Sequence, residues 1–487
     1  MADSFRYTSK PPAAAESAAV RTAVVGAGWA GLAAAIAAVQ RGQRVTLFEA
    51  ARHAGGRARS LPVTMPDGRK IVIDNGQHIL IGAYTHTLQL MRTVGANPEH
   101  LLLRMPLDLR YPDGSGLHFP AAVPAWLPKR HAASFTAAWG IARTRGWRWS
   151  ERMALLRTMR HWQRGGFACS PFTTVADLCA ALPARVVQDL IEPLCSSALN
   201  TVTTQASGSV FLRVLRDALF AAPGASDFLL PRAPLSELLP EPALRWLAAR
   251  RASIRLGERV STLQWSGPDQ LAGGTRVSNA TAGQHDSLWR VQGEPFDQVI
   301  LATSAANALA LLRPVKQTSP QFIAQPVREW GATTARLPHT AITTVYAQVQ
   351  GDAEERTANT RAASHLDILK RPMLTLRSGP EAPAQFVFNR TLLGRSIENL
   401  NGSTLLAFVV CASQGERADL EAKVCAQSLD QLGLRVQFAL TLTEKRATFA
   451  CTTNRQRPPK RIAPGLSACG DYVEGDYPAT LEGSVMP

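Results

Sequence analysis

Apolar and polar positions sort most sharply between Thr22 and Arg57. A short apolar run, Ala23 to Val25, predicts a buried strand and leads straight into Gly26-Ala27-Gly28-Trp29-Ala30-Gly31. An alanine-rich stretch follows and predicts a helix over Leu32 to Arg41, with Gly42 suited to stop it. A second run, Arg44 to Phe48, predicts a strand that ends on the acid Glu49. Further on, Lys70 to Ile73 is strand-like, whereas from about 86 to 234 the pattern turns mainly helical. Strand-like runs return at Ala252 to Leu256, Phe296 to Thr303, Thr343 to Gln350, Gln385 to Phe388 and Leu405 to Cys411. Residues 266 to 290, rich in Gly, Ser, Asn and Thr, read as a hairpin loop, and residues 1 to 20 as a flexible leader.

The order strand, glycine turn, helix, strand, acid is a βαβ dinucleotide-binding fingerprint in its required context. Gly26, Gly28 and Gly31 permit a tight turn, close approach of backbone to a pyrophosphate, and close helix–strand packing. The free N–H groups and positive dipole end of the helix suit phosphate. Glu49 falls where a carboxylate accepts hydrogen bonds from a ribose. A turn that merely packs a helix on a sheet would explain the glycines alone. It does not explain the acid. Gly55-Gly56-Arg57 then adds a second glycine pair, able to lie against a diphosphate or flavin, and an arginine able to neutralise phosphate charge.

A chain of 487 residues, 46% hydrophobic and 18% charged, is long enough for a large core and two domains. Its net charge of +16 comes mostly from arginine, which suits phosphates or an anionic membrane surface. Nucleic acid is the competing partner, but there is no zinc knuckle, RNP-like motif or lysine-rich tail. The seven cysteines form no CxxC pair or metal-ligand cluster and read as reduced thiols of a cytosolic protein. No stretch has the length and apolarity of a membrane span. Residues 129 to 164, however, hold nine Lys/Arg and a single acid, Glu151, interleaved with Trp139, Trp147, Trp149 and Trp162. Apolar and basic positions look mixed there. The stretch reads equally as a peripheral membrane contact and as a surface helix with its tryptophans turned inward, beginning near Glu151 with Ser150 as cap.

The Gly-Gly-Arg continuation resembles FAD enzymes of the amine oxidase and phytoene desaturase superfamily. Within it, Asp74-Asn75-Gly76-Gln77-His78 followed by Gly82-Ala83-Tyr84 resembles the hydroxysqualene dehydroxylases, or squalene-associated FAD-dependent desaturases. The resemblance implies an α/β fold: a Rossmann-like FAD-binding domain of the amine oxidase (GR2) type with a helix-plus-sheet substrate domain. The FAD-binding domain would take 21–85, 235–310 and 451–487, and the substrate domain 86–234 and 311–450. The resemblance also places Gly76 beside the flavin, Val260 against adenine, Gly470 and Asp471 on the ribityl–phosphate arm, and Thr480 and Leu481 at a helix N-terminus facing the flavin. In relatives that helix runs well past the position of Gly483, whereas here Ser484 to Pro487 follow it, so weaker flavin retention is expected.

The implied reaction removes the hydroxyl of hydroxysqualene with reduced flavin, giving squalene for hopanoid-type isoprenoid synthesis. His78 and Asp74 are the acid candidates, although a histidine after an Asp-Asn-Gly turn is also ordinary structure. No metal is expected. The implied partners are a polyprenyl substrate and a separate reductant, NADPH or a redox protein, since no second glycine fingerprint appears. The implied location is the cytoplasm or the inner face of the cell membrane. Polyene desaturation and amine oxidation are alternatives on the same fold. A flavin-free prenyl carrier like the Rab-escort proteins is an alternative that is not an enzyme.

Overall fold

The computed structural model describes residues 19–66, 68–120, 129–267, 288–349, 369–394 and 403–486. Two large sheets organise them. The first has six strands in the order Ser253–Leu256, β2 (Arg44–Glu49), β1 (Arg21–Val25), Gln298–Leu301, Leu466–Ala468 and Arg461–Ala463. All neighbours are parallel except the last pair. A parallel sheet covered on both faces needs continuous apolar strands, and Ala23, Val24, Val25, Leu47 and Phe48 are all buried. The strands come from three separated stretches of chain, so the sheet closes only when distant segments meet.

Helix α1 spans Trp29–Gln40, three residues ahead of the predicted start at Leu32. The turn proper is only Gly26 to Gly28, and Gly31 already lies in the first helical turn. The stretch from 86 to 234 also departs from its helical reading. Helices Thr85–Thr93, Lys129–Arg143, Trp149–Arg164 and Gly208–Leu219 are there, but so are strands Leu102–Met105, Asp108–Arg110, Gly116–His118 and Phe228–Pro231. Strands of three or four residues are too short to display a period of two. Phe228–Pro231 is buried at every position, so its pattern is a run rather than an alternation.

The second sheet is antiparallel, in the order Met373–Thr375, Phe386–Asn389, Leu405–Ser413, His339–Val349 and Val436–Phe449. Its two faces follow the strand period. Phe386, Phe388, Leu405, Ala407 and Val409 join the main core. Val387, Leu406, Phe408 and Val410 face a separate cluster with Leu420 and Val424 of the helix Arg417–Gln427. Most of the hairpin loop expected at 266–290 lies outside the described residues. Its flanks, Leu263–Trp265 and Trp289–Val291, pair antiparallel. Among the described residues, no helix is long and apolar enough to cross a membrane.

Candidate functional site

One cavity of about 860 Å³ runs from the carboxyl ends of the parallel strands into the space under the antiparallel sheet. Ligands of open α/β sheets bind at that end of the strands, where the loops diverge. Residues at or just past the ends of β1, β2, Gln298–Leu301 and Leu466–Ala468 all line it: Gly26 and Gly28, Glu49, Ala302 and Thr303, Gly470 and Asp471.

The glycines leave backbone where side chains would close the space. A Cβ on Gly56 would stand 3.1 Å from the Cα of Gly28, so these two facing residues form a cradle that a methyl group would fill. Gly26, at φ +110°, has a conformation L side chains rarely adopt, and its Cβ would meet the Ala302 carbonyl oxygen at 2.6 Å. Gly31 does not line the cavity. Its Cβ would lie 1.8 Å from the Gly26 carbonyl oxygen, so its role is to seat α1 on the turn. Glu49 is aimed by two backbone donors: Ala27 N–H to Oε2 at 2.7 Å and Ala51 N–H to Oε1 at 2.8 Å. Val260, Gly76, Thr480 and Leu481 also face the cavity. Bare backbone, an oriented carboxylate and an adjacent apolar wall fit FAD.

Arg57 has a partner the sequence reading did not give it. Its guanidinium forms an ion pair with Asp471 and donates to the Ala447 carbonyl at 2.5 Å. The Asp471 carboxylate raises the pKa of Arg57. Much of the charge expected for phosphate is thus answered within the protein. The final helix, Leu481–Val485, is capped by Thr480, whose Oγ1 accepts from Gly483 N–H at 3.0 Å. Glu482 anchors it. Its buried carboxylate accepts from His86 N–H and Thr87 N–H, each at 2.9 Å, and from the Thr87 hydroxyl at 2.7 Å. It therefore caps the helix Thr85–Thr93 from another part of the chain, and that role had no signal in sequence.

His78 and Asp74 part company. His78 lines the cavity. Burial, and then the charge of Arg57, lower its pKa to about 4. A ring held there is mostly neutral near pH 7 and offers the cavity a hydrogen bond rather than a positive charge. Asp74 is absent from the lining, and its carboxylate is already engaged. It accepts from the Ser60 hydroxyl at 2.8 Å and Leu235 N–H at 2.9 Å, and it pairs with buried Arg390 at 3.3 Å. Burial raises its pKa, against the opposing pull of Arg390, Leu235 and Ser60. Asp74 ties a strand end to Arg390, which also donates to Gln77 at 3.2 Å.

Beyond the glycines the cavity wall becomes apolar, with Leu109, Phe119, Ile141, Phe211, Phe386 and Phe388 among its residues. The arginine- and tryptophan-rich stretch forms part of that wall. Helix Trp149–Arg164 starts at Trp149 and not at Glu151, because Glu151 accepts the Arg148 N–H at 2.6 Å and Ser150 does not cap it. Leu155, Met159 and Trp162, spaced four and three residues apart, face the cavity. Trp147 is buried and donates to Asp189 at 3.1 Å, whereas Trp139 and Trp149 are 42% and 64% exposed. Apolar and basic positions are thus sorted onto different sides. All seven cysteines are unpaired. Among the described residues, no group of His, Cys, Asp and Glu is placed to hold a metal.

Comparison with known proteins places this geometry. A family model described as flavin containing amine oxidoreductase matches residues 29–336. A hydroxysqualene dehydroxylase of Rhodopseudomonas palustris is 28% identical over 475 residues, covering 95% of each chain. Another, of Zymomonas mobilis, is 24% identical over 487 residues, covering 95% of this chain and 96% of the relative. A zeta-carotene desaturase of Capsicum annuum is 30% identical over 112 residues, 20% of this chain and 18% of its own. The crystal structure of an oxidoreductase from Methanosarcina mazei shares the fold, with a TM-score of 0.62 at 13% identity over 96% of this chain and 98% of that one.

Proposed function

Since the chain belongs to the family of flavin containing amine oxidoreductases and is an FAD-dependent oxidoreductase, we propose that it removes the hydroxyl of hydroxysqualene to give squalene. The observation that carries this reading is the cavity itself, whose glycine-lined end continues into a long apolar arm. Such an arm suits a polyprenyl chain. The relatives similar over 95% of the chain bear the name of that activity. Gly26, Gly28, Glu49, Gly56, Val260, Gly470, Thr480 and Leu481 hold FAD, which supplies reducing equivalents as hydride when bound. Gly31 seats α1, and the Arg57–Asp471 pair and Gly76 shape the wall between them. Loss of hydroxyl from an allylic carbon leaves a delocalised cation, and the apolar wall keeps water from capturing it. The departing oxygen leaves as water, its added proton coming from solvent at the mouth of the site, and neutral His78 orients it through a hydrogen bond.

The reductant is a separate donor, because no second glycine fingerprint is present to hold a nicotinamide. Exposed Trp139 and Trp149, with exposed Arg145 and Arg148, suit the surface of an anionic bilayer in which a polyprenyl substrate dissolves. A second reading, desaturation of a polyene, is favoured by the shorter similarity to zeta-carotene desaturases. An anaerobic incubation of the protein with hydroxysqualene and reduced FAD separates the two. Squalene is the expected product. Loss of hydrogen from a polyene with oxidised FAD, and no turnover of the alcohol, would establish the second reading instead.

A further inference from the structure

Where the cavity passes Thr480, its wall carries a polar pair, Asp217 and Tyr477, from segments 260 residues apart. Asp217 belongs to the helix Gly208–Leu219, which turns Phe211, Val214, Leu215 and Ala218 to the same cavity. Three donors engage its carboxylate: Arg216 Nε on Oδ1 at 2.8 Å, and Arg213 Nε at 2.6 Å with the Tyr477 hydroxyl at 2.7 Å on Oδ2. The Arg213 guanidinium stands over the Tyr477 ring, 5.4 Å from its centroid, and also pairs with Asp476 at 3.0 Å. The phenol is therefore held in one orientation, its hydrogen committed to Asp217. Its oxygen is left as an acceptor only, shared between Arg213 and the cavity.

An acceptor-only oxygen in a mostly apolar wall discriminates among long-chain ligands by one feature, an O–H group to donate. The Tyr477 carbonyl accepts the Thr480 hydroxyl at 2.9 Å, so the phenol stands on the segment that leads into the final helix. We propose that Tyr477 is the register pin of the cavity. Its phenol oxygen accepts the hydrogen bond of a polyprenyl alcohol and thereby sets which carbon stops beside Thr480 and Leu481. This deepens the reading of the cavity as a site for a hydroxylated polyprenyl chain and rests on it. Asp217 acts as a positioning residue, keeping the phenol hydrogen turned away. Hydrogen bonds from Arg216, Arg213 and Tyr477 overcome the effect of burial and keep its carboxyl below the usual range. Burial and the Asp217 carboxylate push the phenol up to about 12, so its proton stays in place.

The test is equilibrium binding to the oxidised FAD-loaded protein, read from the flavin visible spectrum, with hydroxysqualene, its methyl ether and squalene. Wild-type protein should favour the alcohol over the ether by about 10- to 100-fold, the range of a hydrogen bond made in a dry site. Tyr477→Phe should bring that ratio to about one, leaving squalene affinity, flavin content and the thermal midpoint unchanged. Should Tyr477→Phe shed its flavin, Asp217→Asn decides, because an amide can donate to the phenol oxygen and compete for it; the ratio should again fall. An undiminished ratio in the folded variants, or no preference in the wild type, overturns the pin. Failure of the wild type to bind any of the three ligands overturns the polyprenyl reading with it.

Discussion

Gly31 has no room for even a methyl group. A Cβ there would overlap the Gly26 carbonyl at 1.8 Å, a backbone atom that cannot swing aside. Gly31→Ala should destabilise the protein by at least about 1–3 kcal/mol, as overpacking does, and empty it of flavin. Denaturant midpoints and the flavin-to-protein absorbance ratio check this. The second residue-scale prediction concerns acid. An unfolded histidine takes up a proton near 6.5, whereas His78 does so only near 4. Between those values the unfolded chain holds more protons, so stability falls as pH drops from about 6.5 toward 4 and is indifferent to His78 above that window. His78→Asn should flatten this part of the stability–pH curve. Asp74 gives the third. Asp74→Ala strands the buried Arg390 charge and should cost about 3–5 kcal/mol, most of it recovered in the double variant with Arg390→Met. Equal loss in the single and double variants would show that the charge is not the cause.

At the scale of elements, the five-residue helix Leu481–Val485 is too short to persist alone. Glu482 holds it by capping Thr85–Thr93. Glu482→Ala should cost about 1–3 kcal/mol, since it leaves buried N–H groups without an acceptor. It should also loosen Thr480 and Leu481 from the cavity wall. Faster amide exchange at His86 and Thr87, together with flavin lost on gel filtration, is the expected signature. The helix Trp149–Arg164 makes a different point. Arg152 donates to the Ala142 and Thr144 carbonyls at 2.8 and 2.7 Å and so finishes the preceding helix. Neutralising it would test folding, not membrane contact. The surface set is Arg145, Arg148 and Trp149. Replacing these three should weaken sedimentation with anionic vesicles at low salt and leave neutral vesicles unaffected. Unchanged sedimentation would remove this face from the membrane reading.

For the molecule as a whole, the cavity joins two chemistries along one continuous wall. If hydroxyl loss is completed by hydride from the cofactor, squalene formed with deuterated reduced FAD must carry deuterium. The label belongs at the carbon that bore oxygen or at its allylic partner. Squalene without label, under conditions that exclude solvent exchange, would rule out hydride delivery. The division of labour between the sheets makes this arrangement possible. Backbone at the ends of the parallel strands lines one part of the cavity, and alternate side chains of the antiparallel sheet line an apolar part.

Features whose requirements fall on neighbouring residues can be read from spacing alone. Gly26 to Gly31 needs a strand before and a helix after, and Glu49 needs only the next strand, so the βαβ unit was legible within thirty residues. Tertiary structure alone decided which charges remain available. Arg57 meets Asp471 across 414 residues, Asp74 meets Arg390 across 316, and Glu482 meets Thr87 across 395. In sequence each of these acids looks like an ordinary turn or helix residue, because nothing local distinguishes a buried acid from a solvated one. The sides of Trp149–Arg164 were likewise hidden until the cavity showed which positions face inward. Local geometry is written in spacing and side-chain size, whereas the fate of a charge depends on whatever the fold carries to it.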